Sequence, residues 1–208
     1  MSNSARDFWN AKFSGEGFKY GERPNQFLTE QVQHLKPGGA VLVPGDGEGR
    51  NGVWLAESGF RVTSVDCSEV GLEKGRLLAA KRQVAVQWVH ADVTAWAPAE
   101  ASVDAVVLCY LHLPSASRSL VIGRLARALK DGGVFILEAF HPSQLGLTSG
   151  GPKDVDLLYT LEALRSDLRA AGISGDELVA DEVETSLDEG PFHQGVARVT
   201  RLVWQRQI

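Results

Sequence analysis

Three glycines spaced two apart, Gly45, Gly47 and Gly49, and an acid further on, Asp66, are the residues of this chain best suited to holding a ligand. The glycines follow the apolar run Ala40-Val41-Leu42-Val43 and precede a helical pattern. Glycine is needed where a chain reverses sharply or where backbone must touch a ligand. The first strand-to-helix turn of an open parallel sheet is where nucleotide-like ligands dock. Asp66 ends a second strand-like stretch about 20 residues past the glycines, the usual offset of a ribose-binding carboxylate. Two histidines, His112 and His141, each follow a buried-looking apolar run. They are weak catalytic candidates, since an imidazole at the carboxyl edge of a sheet could accept a substrate proton near neutral pH. His193 falls in a late connection and reads as structural. Cys67 and Cys109 read as inert residues near strand ends. Lys153 lies beyond a Gly/Pro-rich connection and reads as solvated, although such loops often choose the substrate. No Cys, His and Asp set has metal-ligand spacing.

The elements that must position these residues follow from the hydrophobic pattern. Ser4 to Phe13 reads as a short helix carrying Phe8, Trp9 and Phe13, and Ser14 to Arg23 as irregular. Pro24 suits a first helical turn, with Phe27, Leu28, Val32 and Leu35 at helical spacing behind it. Lys36-Pro37-Gly38-Gly39 leads into the first strand. A helix from Arg50 to Ser58 ends at Gly59, a left-handed cap. Strand two covers Arg61 to Val65, a helix Glu69 to Lys81, strand three Val84 to Val89 and strand four Asp104 to Tyr110. Val121, Leu125, Ala128 and Leu129 mark another helix face. Lys130-Asp131-Gly132-Gly133 turns into strand five, Val134 to Phe140. This alternation means a parallel sheet covered by helices on both sides, with right-handed crossovers. The tail differs. Leu157, Leu161, Leu164 and Leu168 mark a last helix, and two strands, about 177–187 and 196–205, are joined by Asp188-Glu189-Gly190-Pro191. Two strands joined without a helix pair antiparallel. The expected fold is a three-layer, Rossmann-like α/β domain with a mostly parallel seven-stranded sheet ending in an antiparallel hairpin. Residues 1–208 read as one domain, with 1–24 a lid and 146–156 a substrate-side loop.

Composition narrows the partners. The chain has 208 residues, 44% hydrophobic and 23% charged, as an ordinary globular domain has. A net charge of −5 without a basic block disfavours nucleic acid. No apolar run reaches the length of a membrane span, and the N-terminus lacks a signal-peptide core. Two cysteines are too few for a disulfide framework, and a reducing cytoplasm is the expected location.

With these motifs in place, the chain resembles the class I S-adenosylmethionine-dependent methyltransferases. Val41 to Gly49 is similar to the family's strand and Gly-x-Gly-x-Gly turn. Asp66 matches its acid after strand two, and His90-Ala91-Asp92-Val93 the element after strand three. Leu129 to Phe135 matches its turn into strand five. Phe8-Trp9, Phe13, Tyr20-Gly21 and Pro24-Asn25-Gln26-Phe27-Leu28 resemble the bacterial tellurite-resistance and thiopurine methyltransferase group. The resemblance implies S-adenosyl-L-methionine as cofactor and methyl transfer to a small molecule, including soft sulfur, selenium or tellurium nucleophiles. It implies cofactor contacts from Gly45, Asp46, Gly47, Gly49 and Asn51. Further contacts are implied for Asp66, Cys67, Asp92, Val93 and Leu108. It places Trp9 and Tyr20 over the cofactor. Many members carry an acid in the first strand where this chain has Val43, and a small or sulfur residue where it has Asp46; Asp46, Glu48 and Arg50 are the candidates to compensate.

Two other classes share parts of the pattern. An NAD(P)-dependent oxidoreductase would share the strand, glycines and Asp66, but wants Gly-x-Gly-x-x-Gly, and Arg50 stands where the last glycine would fall. A non-catalytic S-adenosylmethionine-binding regulatory module would tolerate the missing first-strand acid.

Overall fold

The structure, a computed structural model, describes residues 3–207. Seven strands run in chain order β1 (Ala40–Pro44), β2 (Arg61–Asp66), β3 (Gln87–His90), β4 (Val103–Cys109), β5 (Leu129–Phe140), β6 (Gly175–Gly190) and β7 (His193–Arg206). The helices are α1 (Asn3–Phe13), α2 (Gln26–Gln31), α3 (Arg50–Glu57), α4 (Glu69–Arg82), α5 (Ser115–Ala128) and α6 (Leu161–Ala170). The sheet order is β3-β2-β1-β4-β5-β7-β6, with β7 antiparallel to both neighbours and the other pairs parallel. This is the expected Rossmann-like α/β architecture with its terminal hairpin. The pattern did not specify that β7 inserts between β5 and β6.

The central strands are apolar on both faces because helices cover both faces. The alternation of side chains across each strand sorts them into two cores. Leu42, Val106, Leu108, Phe135 and Leu137 pack with residues of α5 and α6, including Ile122, Leu125 and Leu164. Val41, Val43, Ala105, Val107, Val134 and Ile136 pack with Phe27, Leu28 and Leu55 of α2 and α3. The outer strand β6 is largely exposed and carries Glu177, Asp181, Glu182 and Glu184, charges that discourage edge-to-edge pairing.

Several boundaries differ from expectation for local reasons. Pro24 lies outside α2, whose cap is Asn25; its side chain accepts from the Leu28 N–H. β3 begins only at Gln87, because Gln83 adopts a left-handed conformation and the Val84 N–H is spent on the Ala79 carbonyl at the end of α4. β5 begins at Leu129 rather than Val134, with its register to β4 shifting around Lys130–Gly133. Leu157 belongs to a separate 3₁₀ turn at 155–157, and α6 is capped by Thr160. Asp188 and Glu189 lie within β6, so the tight turn falls on Pro191 and Phe192.

A buried ion pair joins α5 to α6. Arg118 Nε lies 2.6 Å from Asp167 Oδ2, with both side chains under 10% exposed, and the Arg118 guanidinium stacks over Tyr159. Removing one member of such a pair leaves an uncompensated buried charge. Arg118→Ala should therefore lower unfolding stability by about 3–5 kcal/mol, measured by urea denaturation, whereas Arg124→Ala on the same helix should cost much less.

Candidate functional site

The turn after β1 is held open by its glycines. Gly45, Gly47 and Gly49 have φ of 69°, 58° and 83°, conformations open to glycine at no steric cost. A Cβ on Gly47 would also come within 3.0 Å of the Phe13 ring, and one on Gly49 within 2.9 Å of Gly75. Asp66 fixes the turn from β2. Its Oδ2 accepts the Gly47 N–H at 2.8 Å and its Oδ1 the Ser68 N–H at 2.8 Å. Ser68, not Asp66, caps α4, its hydroxyl accepting from Gly71 N–H. Each Asp66 oxygen retains acceptor capacity toward a ligand. Burial pushes the Asp66 carboxyl up, against the pull of these backbone donors.

Over this turn lies a cavity of about 760 Å³ at the carboxyl edge of the parallel strands. One end is lined by Gly45, Asp46, Gly47, Asp66 and Cys67, with Ala91, Val93 and Thr94 beside them. Trp9, Phe13 and Tyr20 cover it; Trp9 stacks on Phe13 at 5.4 Å between ring centroids. The other end is lined by Tyr110, His112, Phe140, His193, Leu157 and Lys153. Of the candidates from sequence, Trp9, Tyr20, Gly45, Asp46, Gly47, Asn51, Asp66, Cys67, Val93 and His112 meet at this cavity. Four do not line it. Gly49 forms the entry to α3. Leu108 is 1% exposed within the core. Asp92 Oδ1 closes a local turn by accepting from the backbone N–H and hydroxyl of Thr94. His141 Nδ1 accepts from the Ser143 N–H, and its Nε2 lies 3.6 Å from Glu182.

The residues expected to compensate for Val43 line the cavity, but their side chains are engaged by protein partners. Asp46 accepts from Ser64 Oγ at 2.8 Å and from the Gly52 N–H in the first turn of α3. Burial raises its carboxyl to about 6. Glu48 accepts the Lys19 N–H at 2.7 Å and pairs with Lys74 Nζ at 3.0 Å. Lys74 also donates to the carbonyls of Gly15 and Gly17, so Glu48 and Lys74 anchor the N-terminal segment to the glycine turn. Arg50 Nη2 lies 2.7 Å from Glu189 Oε2, both side chains 7% exposed or less.

That ion pair belongs to a buried polar network that sequence reasoning missed. Asn25 Nδ2 donates to Glu138 Oε1 at 2.7 Å and to Glu189 Oε1 at 2.9 Å. Its backbone N–H donates to Asn51 Oδ1, while Tyr110 OH donates to Glu138 Oε1 and Arg201 pairs with Glu138 Oε2. His193 Nδ1 lies 3.4 Å from Glu189 Oε2. Its four charges, Arg50, Glu138, Glu189 and Arg201, come from four different elements, and each ion pair spans more than sixty residues, so no local spacing marks them. The one available signal was the presence of Glu138 within an otherwise apolar strand. Tyr110 has φ of 58°, which costs a non-glycine residue about 1–2 kcal/mol and sets its ring at the cavity wall.

Residues 41–133 match the methyltransferase domain family. A thiopurine S-methyltransferase from Xanthobacter autotrophicus is 36% identical over 73 residues, 33% of this chain and 34% of that protein; the chain thus matches about a third of that relative's length. Among solved structures, one concerned with converting a disulfide bond into a thioacetal group during echinomycin biosynthesis superposes with a TM-score of 0.77 at 18% identity, covering 98% of this chain and 93% of that one. A magnesium protoporphyrin IX methyltransferase from Synechocystis PCC 6803 with bound SAH superposes with a TM-score of 0.68 at 19% identity, covering 99% of each chain. At such identities the structural likeness speaks for the fold. The methyltransferase-domain match covers the glycine turn and strands β1 to β4, less than half of the chain, and the structural likeness places that segment in the Rossmann-like fold of these solved methyltransferase structures.

Proposed function

We propose that the chain catalyses methyl transfer from S-adenosylmethionine to a small-molecule acceptor, with a soft chalcogen nucleophile as the acceptor class. The observation that carries this reading is the two-ended cavity. A buried carboxylate and a glycine turn stand at one end, and an aromatic, imidazole-rich wall stands at the other. The partial likeness to a thiopurine S-methyltransferase supports a sulfur-type acceptor.

The residues present fit the cofactor. Asp66 would hold the ribose hydroxyls with the lone pairs its backbone partners leave open. Ala91, Val93 and Thr94 would flank the base, and Trp9, Phe13 and Tyr20 would exclude water. When bound, S-adenosylmethionine supplies a methyl group on a cationic sulfur that is already a good leaving group. The protein's part is then to hold the acceptor in line in a dry site, which can supply most of the rate. The NAD(P)-dependent alternative is disfavoured by Arg50, which is buried against Glu189 where a dinucleotide-binding turn requires glycine.

Two variants test the cofactor end by calorimetry with S-adenosylhomocysteine. Hydrogen bonds to a charged group contribute about 1.5–3 kcal/mol each, and about 1.4 kcal/mol is one decade in Kd. Asp66→Ala should therefore weaken binding at least about tenfold. Normal affinity in a folded Asp66→Ala protein would remove the ribose assignment.

Gly47→Val should weaken binding too, because it combines a left-handed backbone with a clash against Phe13. In thermal shift on the wild type, S-adenosylhomocysteine should raise Tm and NAD should not, since a ligand stabilises only the state it binds.

A further inference from the structure

Most groups at the acceptor end that could take a proton are disqualified by their surroundings. Burial pushes the Cys67 thiol up to about 12 and the Cys109 thiol well above its usual value. Tyr110 spends its hydroxyl proton on Glu138. Lys153 Nζ donates to the Leu147 carbonyl. His112 Nδ1 lies 2.6 Å from the Leu157 carbonyl, which can only accept, so the proton is on Nδ1. Its Nε2 is buried with no partner, and burial pulls the imidazole down to about 4, far from a pH at which it could serve as an effective base.

His193 remains. It opens β7, lines the cavity and is packed by Tyr110, Tyr20 and Phe140, with ring centroids at 4.4, 4.6 and 5.5 Å. Its Nδ1 faces Glu189 Oε2 at 3.4 Å. An ionised carboxylate only accepts, so Nδ1 carries the hydrogen and Nε2 the lone pair. Glu189 is itself immobilised. Its Oε1 accepts from Asn25 Nδ2 and the Gln26 N–H, and its Oε2 pairs with Arg50. Its donors hold the carboxyl down at about 2, against the penalty of burial. A carboxylate that fixes an imidazole tautomer and stabilises its cation is the arrangement that suits a general base.

We propose that His193, oriented by Glu189, takes the proton of a protic methyl acceptor, a neutral thiol. The inference rests on the methyl-transfer reading. In the proton step the acceptor's S–H bond breaks, its electron pair stays on sulfur, and the proton moves to His193 Nε2. The resulting imidazolium is balanced by the Glu189 carboxylate and later returns its proton to solvent. The charged and titratable groups facing His193 are Glu189 from β6, Glu138 from β5, Arg50 from α3, Tyr110 and His112 beyond β4, and Tyr20 from the N-terminal segment. Burial is the largest influence on His193 and lowers it, with Arg50 acting in the same direction and Glu189 and Glu138 opposing. The imidazole is therefore neutral at pH 7. The rate should fall only as pH drops through a value below the ordinary histidine range of about 6.5.

The test pairs ¹⁵N-histidine NMR of the wild type, loaded with S-adenosylhomocysteine, with kinetics of His193→Gln. The expected spectrum at pH 7 shows a neutral His193 with its proton on Nδ1. The kinetic probes are 2-mercaptoethanol, protonated at pH 7, and pentafluorothiophenol, already ionised there. In His193→Gln, kcat/KM for the protonated thiol should fall at least about 100-fold, within the range of general-base contributions. For the ionised thiol it should fall far less, and the acid limb of the pH profile should disappear. Affinity for S-adenosylhomocysteine should stay unchanged. A proton on Nε2, a charged His193 at pH 7, or equal losses for both thiols would overturn the proposal. A wild type that fails to bind S-adenosylhomocysteine would instead overturn the methyl-transfer reading, leaving the tautomer result standing.

Discussion

The pairing of Arg50 with Glu189 is the interaction around which the site is assembled. It brings the first turn of α3, beside the glycine loop, against the end of β6, more than a hundred residues later in the chain. Asn25 then bridges Glu189 to Glu138 of β5, and Arg201 of β7 neutralises Glu138. Two carboxylates and two guanidiniums are thus withdrawn from water together. Burying any one of them alone would be very costly, whereas a fully hydrogen-bonded set is tolerated and tends to fix geometry more than it adds stability. The terminal hairpin is therefore a structural part of the cavity wall, and it carries His193 into place.

The same logic explains the departures in the glycine turn. A chain without an acid in β1 has no carboxylate there to meet a ligand. Its acids at 46 and 48 do not fill that role. Asp46 ties Ser64 of β2 to the start of α3, and Glu48 receives the N-terminal segment through Lys19 and Lys74. The turn is rigid at three points, and its polar residues support the loop. What remains for a ligand is backbone, Asp66 and the surrounding apolar and aromatic surface.

The N-terminal segment gains its order from these contacts. Phe13 is 3% exposed, but its ring lies against Gly47 and Gly71, so it forms a cover for the turn as well as a piece of core. Lys74, reaching two carbonyls and Glu48 at once, holds that cover by polar contacts at its edge.

The order of strands and helices was legible because each is written locally. Short apolar runs rich in β-branched residues, such as Ala105–Leu108, read as buried strands, Gly59 can end a helix, and the Gly45–Gly49 turn has backbone angles that glycine adopts freely. Asp66 was legible for the same reason, since its distance from the glycines is a property of one strand-helix-strand unit. The tertiary structure alone decided which residues of different units meet. It inserted β7 between β5 and β6, moved Asp188 and Glu189 from a turn into a strand, and took Gly49, Asp92, Leu108 and His141 out of the cavity lining. It also turned His193 from a connection residue into part of the wall. Local spacing carries the periodicity of a helix or strand. It carries no record of a buried charge whose counter-charge lies elsewhere in the chain, because that pairing exists only once the sheet has brought the two together.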